Sequence, residues 1–256
     1  MKRIGIVTGA SSGMGREFVY ELLRSQKIEE LWLIARREER LARLVDQFGV
    51  SVRSFPLDLT KMESFRTLEQ SLFAEKPGIV YLVNAAGAGR MGKIEEISCE
   101  GHAMMADLNV RALTCMSRIC LPYMTEGSHI IELCSGSAFL PQPGFATYAA
   151  SKAYVLSFSR ALGQELKKRK ISVTAVCPGP VDTEFFQAAR SPVHPSKKRF
   201  MAKPEDVVKK ALRDAESKKP VSVYGIPMKL VHLAGKILPT RVVLAVMDRV
   251  LANEEE

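Results

Sequence analysis

Apolar residues along the chain follow two alternating patterns. Short runs rich in Ile, Val and Leu are separated by longer segments in which apolar residues recur every three or four positions. The short runs predict buried strands, and the longer segments predict amphipathic helices. The predicted strands are 3–9, 30–35, 51–57, 78–87, 128–135, 171–179 and 220–225, and the predicted helices are 15–26, 38–48, 61–74, 101–123, 144–168 and 204–215.

This order of elements predicts an α/β fold. Strands that alternate with helices form a parallel sheet with helices on both faces, and right-handed crossovers make it a Rossmann-type doubly wound sheet of about seven strands. No linker rich in Pro, Gly or Ser divides 1–256, so we expect a single domain. Within it, 1–100 should mainly bind a cofactor, 101–225 should supply catalytic and substrate residues, and 226–256 should form a C-terminal extension.

Ligands of such folds bind beyond the carboxyl ends of the strands, so the residues that follow the strands should share one cleft. After the first strand, the segment 8–15 (TGASSGMG) places three glycines before a helix N-terminus, where a phosphate can approach backbone N–H groups. A plain turn between strand and helix is the alternative. The residues expected to contact a cofactor here are Gly9, Ser11, Ser12, Gly13, Met14 and Gly15.

The end of the second strand bears on the choice of cofactor. A site for NAD usually has an acid here, which accepts a hydrogen bond from the ribose 2′-hydroxyl. This chain instead has Arg36 and Arg37, whose charges would pair with a 2′-phosphate. The sequence therefore favours NADP(H) over NAD(H). The alternative is that both arginines only begin a solvated helix beside Glu38 and Glu39.

Small and polar residues follow three further strands. Asp58, followed by Leu59, either accepts a hydrogen bond from an adenine amino group or caps the next helix. The small residues after the fourth strand leave room for a ring or a ribose, or else form only a compact loop. The expected cofactor residues in these segments are Asp58, Leu59, Asn84, Ala85, Ala86, Gly87, Pro178, Gly179, Val181 and Thr183.

Candidate reactive groups lie around the fifth strand and the helix after it. Tyr148 and Lys152 are four residues apart, so they share one face of the predicted helix 144–168. Ser135 ends the fifth strand, and a loop rich in Gly and Pro lets it approach the start of that helix. For Tyr148 and Lys152 alone, an ordinary surface pair is the simpler alternative.

These segments, in this order and spacing, resemble the short-chain dehydrogenase/reductase family along almost the whole chain. The matching segments are TGASSGMG at 8–15, LDL at 57–59, NAAG at 84–87, LNV at 108–110, Ser135, YAASK at 148–152 and PGPVDT at 178–183. The resemblance implies a catalytic set of Asn109, Ser135, Tyr148 and Lys152, with Tyr148 and Lys152 also contacting the cofactor. It also implies the NADP-preferring subgroup, through Arg36, and a homodimer or homotetramer built on the helices around Asn109 and Tyr148.

The resemblance implies an enzyme that transfers a hydride between NADPH and a carbonyl or secondary alcohol. Tyr148 would supply the proton, and Lys152 would lower the pKa of that phenol. Ser135 would orient the carbonyl oxygen, and Asn109 would hold a water that links Lys152 to solvent. The alternative function is an NADP(H)-binding regulatory or redox-sensing protein on the same fold, which would not need all four residues.

Aromatic residues near the expected site favour a hydrophobic small-molecule substrate, such as a steroid, a 3-oxoacyl group or another lipid-like ketone. The alternative is that these rings only pack in the core. The expected substrate contacts are Ser135, Ser137, Phe145, Tyr148, Phe185 and Phe186.

Charge and composition narrow the range of partners. The net charge of +9 is compatible with nucleic acid, an anionic membrane surface or an anionic ligand. The basic residues are dispersed and no nucleic-acid recognition motif accompanies them, so no nucleic acid is expected. The five cysteines form neither a CxxC pair nor a metal-ligand spacing, which predicts no metal site and a reducing, cytoplasmic location.

The C-terminal extension contains the most apolar late segment, 226–247. Lysine, histidine, proline and arginine interrupt it, so it does not predict a membrane-spanning helix. It would instead contact a membrane surface peripherally, cover the substrate cleft or meet a neighbouring subunit. Packing against protein is the favoured expectation.

Overall fold

The computed structural model describes residues 1–48, 51–189 and 201–255. Its strands, taken in chain order, are β1 Arg3–Thr8, β2 Glu30–Ala35, β3 Ser51–Pro56, β4 Gly78–Asn84, β5 Met124–Leu133, β6 Ser172–Val176 and β7 Val221–Ser222. Within the described ranges they form one seven-stranded parallel sheet in the order β3-β2-β1-β4-β5-β6-β7. The predicted doubly wound sheet is therefore confirmed.

Helices follow most of the strands. They are α1 Gly13–Arg24, α2 Glu38–Phe48, α3 Met62–Glu75, α4 Cys99–Ala106, α5 Leu113–Cys120, α6 Ala146–Glu165, α7 Phe185–Ala188, α8 Pro204–Glu216, α9 Ile226–Ile237 and α10 Thr240–Glu255.

Two apolar layers cover the faces of the sheet. Successive strand side chains point to opposite faces, so Trp32 and Ile34 of β2 pack with α3, α5 and α6, while Leu31 and Leu33 pack with α1, α2 and α8. All four side chains are fully buried. Burial on both faces explains why the strands are near-continuous apolar runs.

The predicted helix 101–123 is not one regular helix. After α4, residues Asp107–Ala112 form a π-helical turn, and after α5 residues Leu121–Tyr123 form a 3₁₀ turn. The π turn carries Asn109, whose side chain bonds the backbone of the loop after β4. Apolar periodicity does not predict this π turn, because the turn depends on the Ala88 backbone, which Asn109 binds from 21 residues away.

Other element ends also shift from their predicted positions. β5 begins at Met124 instead of 128, because Met124 pairs with Ile79 across a register shift in β4. α6 begins at Ala146, since Gly144 adopts a φ of +70° that ends the preceding loop. β7 has two residues instead of six. The segment 183–203, for which no helix or strand is predicted, contains the short helix α7, and its residues 190–200 lie outside the described ranges.

Gly15 is the tightest backbone contact of the loop between β1 and α1. A Cβ added at Gly15 would lie 2.2 Å from the Gly9 carbonyl oxygen, so the two backbone segments would have to separate. We predict that Gly15→Ala lowers the free energy of unfolding by about 2 kcal/mol or more.

Gly163→Ala is the matched control, because it makes the same change inside a helix. The added Cβ would lie 3.6 Å from its nearest neighbour, Val173 Cβ. This variant should gain roughly 0.5–1 kcal/mol from the higher helix propensity of alanine. Urea unfolding measures both values, and equal stabilities for the two variants would contradict the prediction.

Candidate active site

The glycine-rich loop between β1 and α1 forms a narrow backbone cradle. Gly9 has a φ of +67°, and a Cβ there would lie 2.8 Å from the Ala86 nitrogen. Ser12 is the N-cap residue of α1, but its side chain makes no capping hydrogen bond. The first N–H groups of α1 therefore point to the carboxyl edge of the sheet without a side-chain cap, as an anion-binding helix terminus requires.

Arg37 reaches back into this loop. Its guanidinium donates to Ser11 Oγ at 3.0 Å and to Ser12 Oγ, and it forms an ion pair with Glu184 at 3.2 Å. Arg40 also pairs with Glu184, at 2.8 Å. Hydrogen bonds from Arg40 and then Arg37 lower the pKa of Glu184 against the opposing effect of burial. The sequence did not indicate this link between the glycine loop and the segment after β6.

The ends of β2 and β3 bring a cation and a carboxylate together. Arg36 is exposed, while Asp58 Oδ1 accepts hydrogen bonds from the Thr60 N–H at 3.0 Å and hydroxyl at 2.8 Å. Burial raises the pKa of Asp58, but the Thr60 hydrogen bonds and the charges of Arg36 and Lys61 outweigh it and lower the pKa. Asp58 thus closes a turn, and the N-cap of α3 is Lys61.

Ser135, Tyr148 and Lys152 meet at the carboxyl end of β5. Ser135 begins the 3₁₀ turn Gly136–Phe139, and its Oγ accepts a hydrogen bond from the Ser137 N–H at 3.1 Å. The Ser135 hydroxyl also lies close enough to the Tyr148 phenol to lower its pKa. Lys152 Nζ donates to the Leu133 carbonyl at 2.8 Å and lies 5.6 Å from the centre of the Tyr148 ring. These residues do not form a surface pair, because Tyr148 and Lys152 are 6% and 4% exposed.

Burial dominates the proton affinities of both groups. It raises the pKa of the Tyr148 phenol above its usual value, and the Ser135 hydroxyl only partly offsets this. It lowers the pKa of the Lys152 amine, against the charges of Cys134, Cys177 and Glu132. Desolvation of the phenolate therefore dominates in this structure, and the lowering of the Tyr148 pKa by the charges of Lys152 and an oxidised nicotinamide stays a prediction.

Asn109 joins the π turn to the loop after β4. Its Oδ1 accepts from the Ala88 N–H and its Nδ2 donates to the Ala88 carbonyl, both at 2.8 Å. Nδ2 also donates to Ser151 Oγ at 2.9 Å, and Ser151 Oγ donates to the Tyr148 carbonyl at 2.7 Å. Asn109 therefore holds both the loop and the first turns of α6 in place. The water that the family resemblance implies at Asn109 stays a prediction.

Gly87 lies beneath a gap between two polar groups. A Cβ built on Gly87 would lie 3.2 Å from Asn109 Oδ1 and 3.4 Å from Lys152 Nζ. The absence of a side chain at Gly87 therefore leaves the space of about one side-chain carbon between an acceptor and a donor that are themselves almost fully buried.

Asn84 points away from this gap and into the core. Its Nδ2 donates to Ser117 Oγ and to Glu132 Oε1, each at 3.2 Å. Asn84 Oδ1 and Glu132 Oε2 are buried without a hydrogen-bond partner among the described residues. Burial raises the pKa of Glu132 to about 8, so this carboxyl is neutral at pH 7. A protonated Glu132 can donate to an amide oxygen, which would pair the two groups.

The acid of this cluster stands out in the sequence. Glu132 is an acid in the middle of the apolar strand segment IIELC, where an ionised carboxylate would be strongly disfavoured. Its partners Asn84 and Ser117 lie on a neighbouring strand and on α5, so their identity depends on the fold.

Aromatic side chains cover the Tyr148 ring. Phe145 stacks on it with ring centres 4.3 Å apart, and Phe185 of α7 packs at 5.4 Å. Phe186 contacts Phe185 edge-on at 5.7 Å and makes the outer layer. A Cβ at Gly89 would lie 2.7 Å from Phe185 Cζ, so Gly89 provides the space for this wall. Of the other expected substrate contacts, Ser137 donates its N–H to Ser135 Oγ.

The segment after β6 completes the cleft. A Cβ at Gly13 would lie 3.4 Å from Thr183 Cβ, which sets Thr183 against the glycine loop. Pro178 accepts a hydrogen bond from the Gly136 N–H at 2.8 Å, and Gly179 packs under Met228. Three other predicted cofactor residues bury their side chains in the core, so only their backbones are available to a ligand: Met14, Leu59 and Val181.

The donor set fits a dinucleotide better than a metal ion. The described residues contain no group of three or more His, Cys, Asp or Glu side chains able to hold a metal. One edge of the sheet instead carries the glycine cradle, the exposed cation after β2 and the gap above Gly87. At this edge the strand order changes direction between β1 and β4. That arrangement matches diphosphate, ribose and ring recognition in doubly wound folds.

Comparison with known proteins agrees with this geometry. Residues 3–193 match the family described as short chain dehydrogenase. An uncharacterized oxidoreductase of Staphylococcus epidermidis is 31% identical over 188 residues, which cover 73% of this chain and 81% of that protein.

Two solved structures at 29% identity share the fold and were determined with nicotinamide cofactors. A short-chain dehydrogenase from Sphingobium yanoikuyae in complex with NADPH has a TM-score of 0.79 and covers 91% of this chain and 93% of its own. The closed form of a serine dehydrogenase complexed with NADP⁺ has a TM-score of 0.77 and covers 86% and 94%.

The buried carboxyl of Glu132 makes stability depend on pH. Between pH 4.5 and about 8, the folded protein keeps a proton on Glu132 that the unfolded chain has already lost. The free energy of unfolding therefore falls as pH rises through this window. Glu132→Gln removes the titration but keeps the shape. We predict that the variant gains stability over the wild type progressively from about pH 5 to about pH 8.

Urea unfolding at several pH values measures this difference. The control is Glu126→Gln, which removes an exposed carboxylate that pairs with Lys170. A stability difference between Glu132→Gln and wild type that does not change with pH would mean that Glu132 is ionised in the folded protein.

Proposed function

The chain belongs to the short-chain dehydrogenase family, and we propose that it is an NADP(H)-dependent oxidoreductase that transfers a hydride between the nicotinamide and a carbonyl or secondary alcohol. The observation that carries this proposal is the convergence of Ser135, Tyr148 and Lys152 at the end of β5, beside the gap above Gly87. The two related structures with NADPH and NADP⁺ support the same cofactor class.

Residues along the carboxyl edge of the sheet would each hold a different part of the cofactor. The glycine loop and the N-terminus of α1 would bind the diphosphate, and Arg36 would pair with the 2′-phosphate. Asn109 and Lys152 would face the ribose and ring through the gap above Gly87, and Thr183 would bind the carboxamide. When bound, the nicotinamide supplies or accepts the hydride.

Tyr148 then supplies the proton. Because burial raises its pKa, the phenol stays protonated at neutral pH and can donate from Oη to a carbonyl oxygen that gains negative charge. The Ser135 hydroxyl lies near the same phenol and is placed to donate a second hydrogen bond to that oxygen. Lys152, 5.6 Å from the ring centre, provides the positive charge that stabilises the phenolate left behind.

We infer that the substrate is a hydrophobic ketone or the matching alcohol. Phe145 stacks on the Tyr148 ring, Phe185 packs against it, and Phe186 extends the aromatic wall. A polar substrate would lose hydration against this wall without gaining partners. A steroid ketone, a 3-oxoacyl thioester or another lipid-like ketone would instead bury apolar surface there.

Removal of the Tyr148 hydroxyl tests the proposed reaction. We predict that Tyr148→Phe lowers the rate of ketone-dependent NADPH oxidation by about 10²–10⁴-fold, as expected for loss of a general acid. The substrates are steroid ketones, 3-oxoacyl thioesters and small aldehydes, followed by the ultraviolet absorbance of NADPH. The matched control is Tyr154→Phe on the same helix, whose hydroxyl bonds Thr114 on the protein surface and should leave the rate unchanged.

Two other outcomes would contradict the proposal. Tight NADPH binding without turnover of any substrate class would favour the NADP(H)-binding regulatory or sensing protein. Turnover that persists in Tyr148→Phe would assign the proton transfer to another group.

Arg36 provides the test of cofactor preference. We predict that Arg36→Ala weakens NADPH binding by about 10–100-fold, the range expected for a lost hydrogen bond to a charged group, and leaves NADH binding unchanged. Arg43→Ala, an exposed arginine on α2, makes the same charge change away from the strand end and serves as control. Titration of protein fluorescence with NADPH and NADH measures both affinities. Equal losses for the two cofactors would rule out contact between Arg36 and a 2′-phosphate.

A further inference from the structure

The C-terminal helices carry a row of exposed apolar side chains, which we name the C-terminal stripe. On α9, Ile226, Leu230, Leu233 and Ile237 recur at spacings of four, three and four, so they lie on one face. They are 73%, 62%, 54% and 69% exposed. Val242 and Val246 continue the stripe on α10, at 46% and 50% exposure.

The opposite face of α9 packs on the fold next to the candidate active site. His232 stacks on Phe139 with ring centres 4.3 Å apart, and Met228 contacts Gly136, the residue after Ser135. A Cβ at Gly235 would lie 2.5 Å from the Phe139 carbonyl oxygen, so the helix sits directly on the 3₁₀ turn Gly136–Phe139. The expectation that this segment packs against protein therefore describes one face only, and the stripe is a second, outward face.

The charges within residues 226–247 have a single sign, and the acids of α10 begin after them, at Asp248. Residues 226–247 contain Lys229, His232, Lys236 and Arg241 but no Asp or Glu. The two lysines and Arg241 are exposed. An apolar face flanked by exposed cations is the pattern of a helix that lies at the surface of a membrane containing anionic lipids.

A second apolar feature, a groove, lies beside α10. It has a volume of about 520 Å³ and lies between Leu244 of α10, the segment 138–143 and α6. Its walls are almost entirely hydrocarbon, from residues such as Leu140, Ala149 and Ala153. Apolar surface thus lies between α10 and the helix that carries Tyr148.

We propose that the C-terminal stripe docks on an anionic lipid bilayer. No helix in the part of the chain that the structure describes is long and apolar enough to cross a membrane, so α9 and α10 would lie in the plane of the interface. A second copy of the chain fits less well. In a two-fold interface the same patch meets itself, which would bring Lys229, Lys236 and Arg241 together without an acidic partner from this segment.

This proposal does not rest on the proposed oxidoreductase function, and its test does not use activity. The full chain is mixed with vesicles of phosphatidylcholine alone or of phosphatidylcholine with phosphatidylserine at about two to one, and bound protein is separated by flotation. The expected result is binding to the anionic vesicles about a hundredfold tighter than to the neutral ones, from three cations near the surface.

Substitutions in the stripe separate its apolar and charged parts. Leu230→Gln combined with Leu233→Gln should abolish flotation with either vesicle. Phe73→Gln is the matched control, because Phe73 is 70% exposed on α3, outside the stripe, and its loss should leave flotation unchanged. Lys229→Gln, Lys236→Gln and Arg241→Gln together should weaken binding to the anionic vesicles about a hundredfold and leave binding to the neutral ones unchanged.

Three results would overturn the proposal. These are no flotation of the wild type, equal flotation with both vesicles, and flotation that survives the double leucine variant while circular dichroism shows it folded. Analytical ultracentrifugation distinguishes the other occupant: if the wild type does not float and the double leucine variant lowers the molecular mass in solution, a second copy covers the stripe.

Discussion

The burial of the Lys152 amine at the end of β5 is the constraint on which the rest of the site depends. An amine that is 4% exposed loses almost all of its hydration, which costs several kcal/mol unless its N–H groups find partners. The Leu133 carbonyl at 2.8 Å is one such partner, and it is available because β5 ends there and leaves its last carbonyl outside the ladder. The strand end and the first turns of α6 must therefore keep a fixed separation. Tyr148, one helical turn before Lys152, is positioned by the same restriction.

A second set of hydrogen bonds fixes the opposite side of α6. Asn109 binds both backbone groups of Ala88 and also Ser151, so the loop after β4 and the helix of Tyr148 share one amide. A π turn is rare within an α-helix. This one is stable because the Asn109 side chain gains three hydrogen bonds from the wider turn. The gap above Gly87 keeps its shape because its donor, Lys152, and its acceptor, Asn109, are held from different elements.

Local pattern predicted the parts of this molecule that depend on local physics. The apolar runs predicted the strands of a doubly wound sheet, the glycines of 8–15 marked the tight turn at Gly9, and the four-residue spacing joined Tyr148 to Lys152. The features that it did not predict all involve distant partners. The π turn depends on Ala88, and the inward direction of Asn84 depends on Glu132 and Ser117. The pKa of Tyr148 depends on how deeply three chain segments bury it, which no spacing along the chain reveals.

The aromatic wall and the polar groups of the site are attached to the fold in different ways. Ser135, Tyr148, Lys152 and Asn109 are each held by strand ends, helix backbone or one another. Phe185 and Phe186 lie on the four-residue helix α7, and their ring contacts are with Tyr148 and with each other. Substitutions in the wall can therefore change the apolar surface beside Tyr148 while the polar groups of the site keep their positions. The capacity of the site to change in evolution is therefore set by which side chains are held by strand ends and helix backbone, and which by ring contacts.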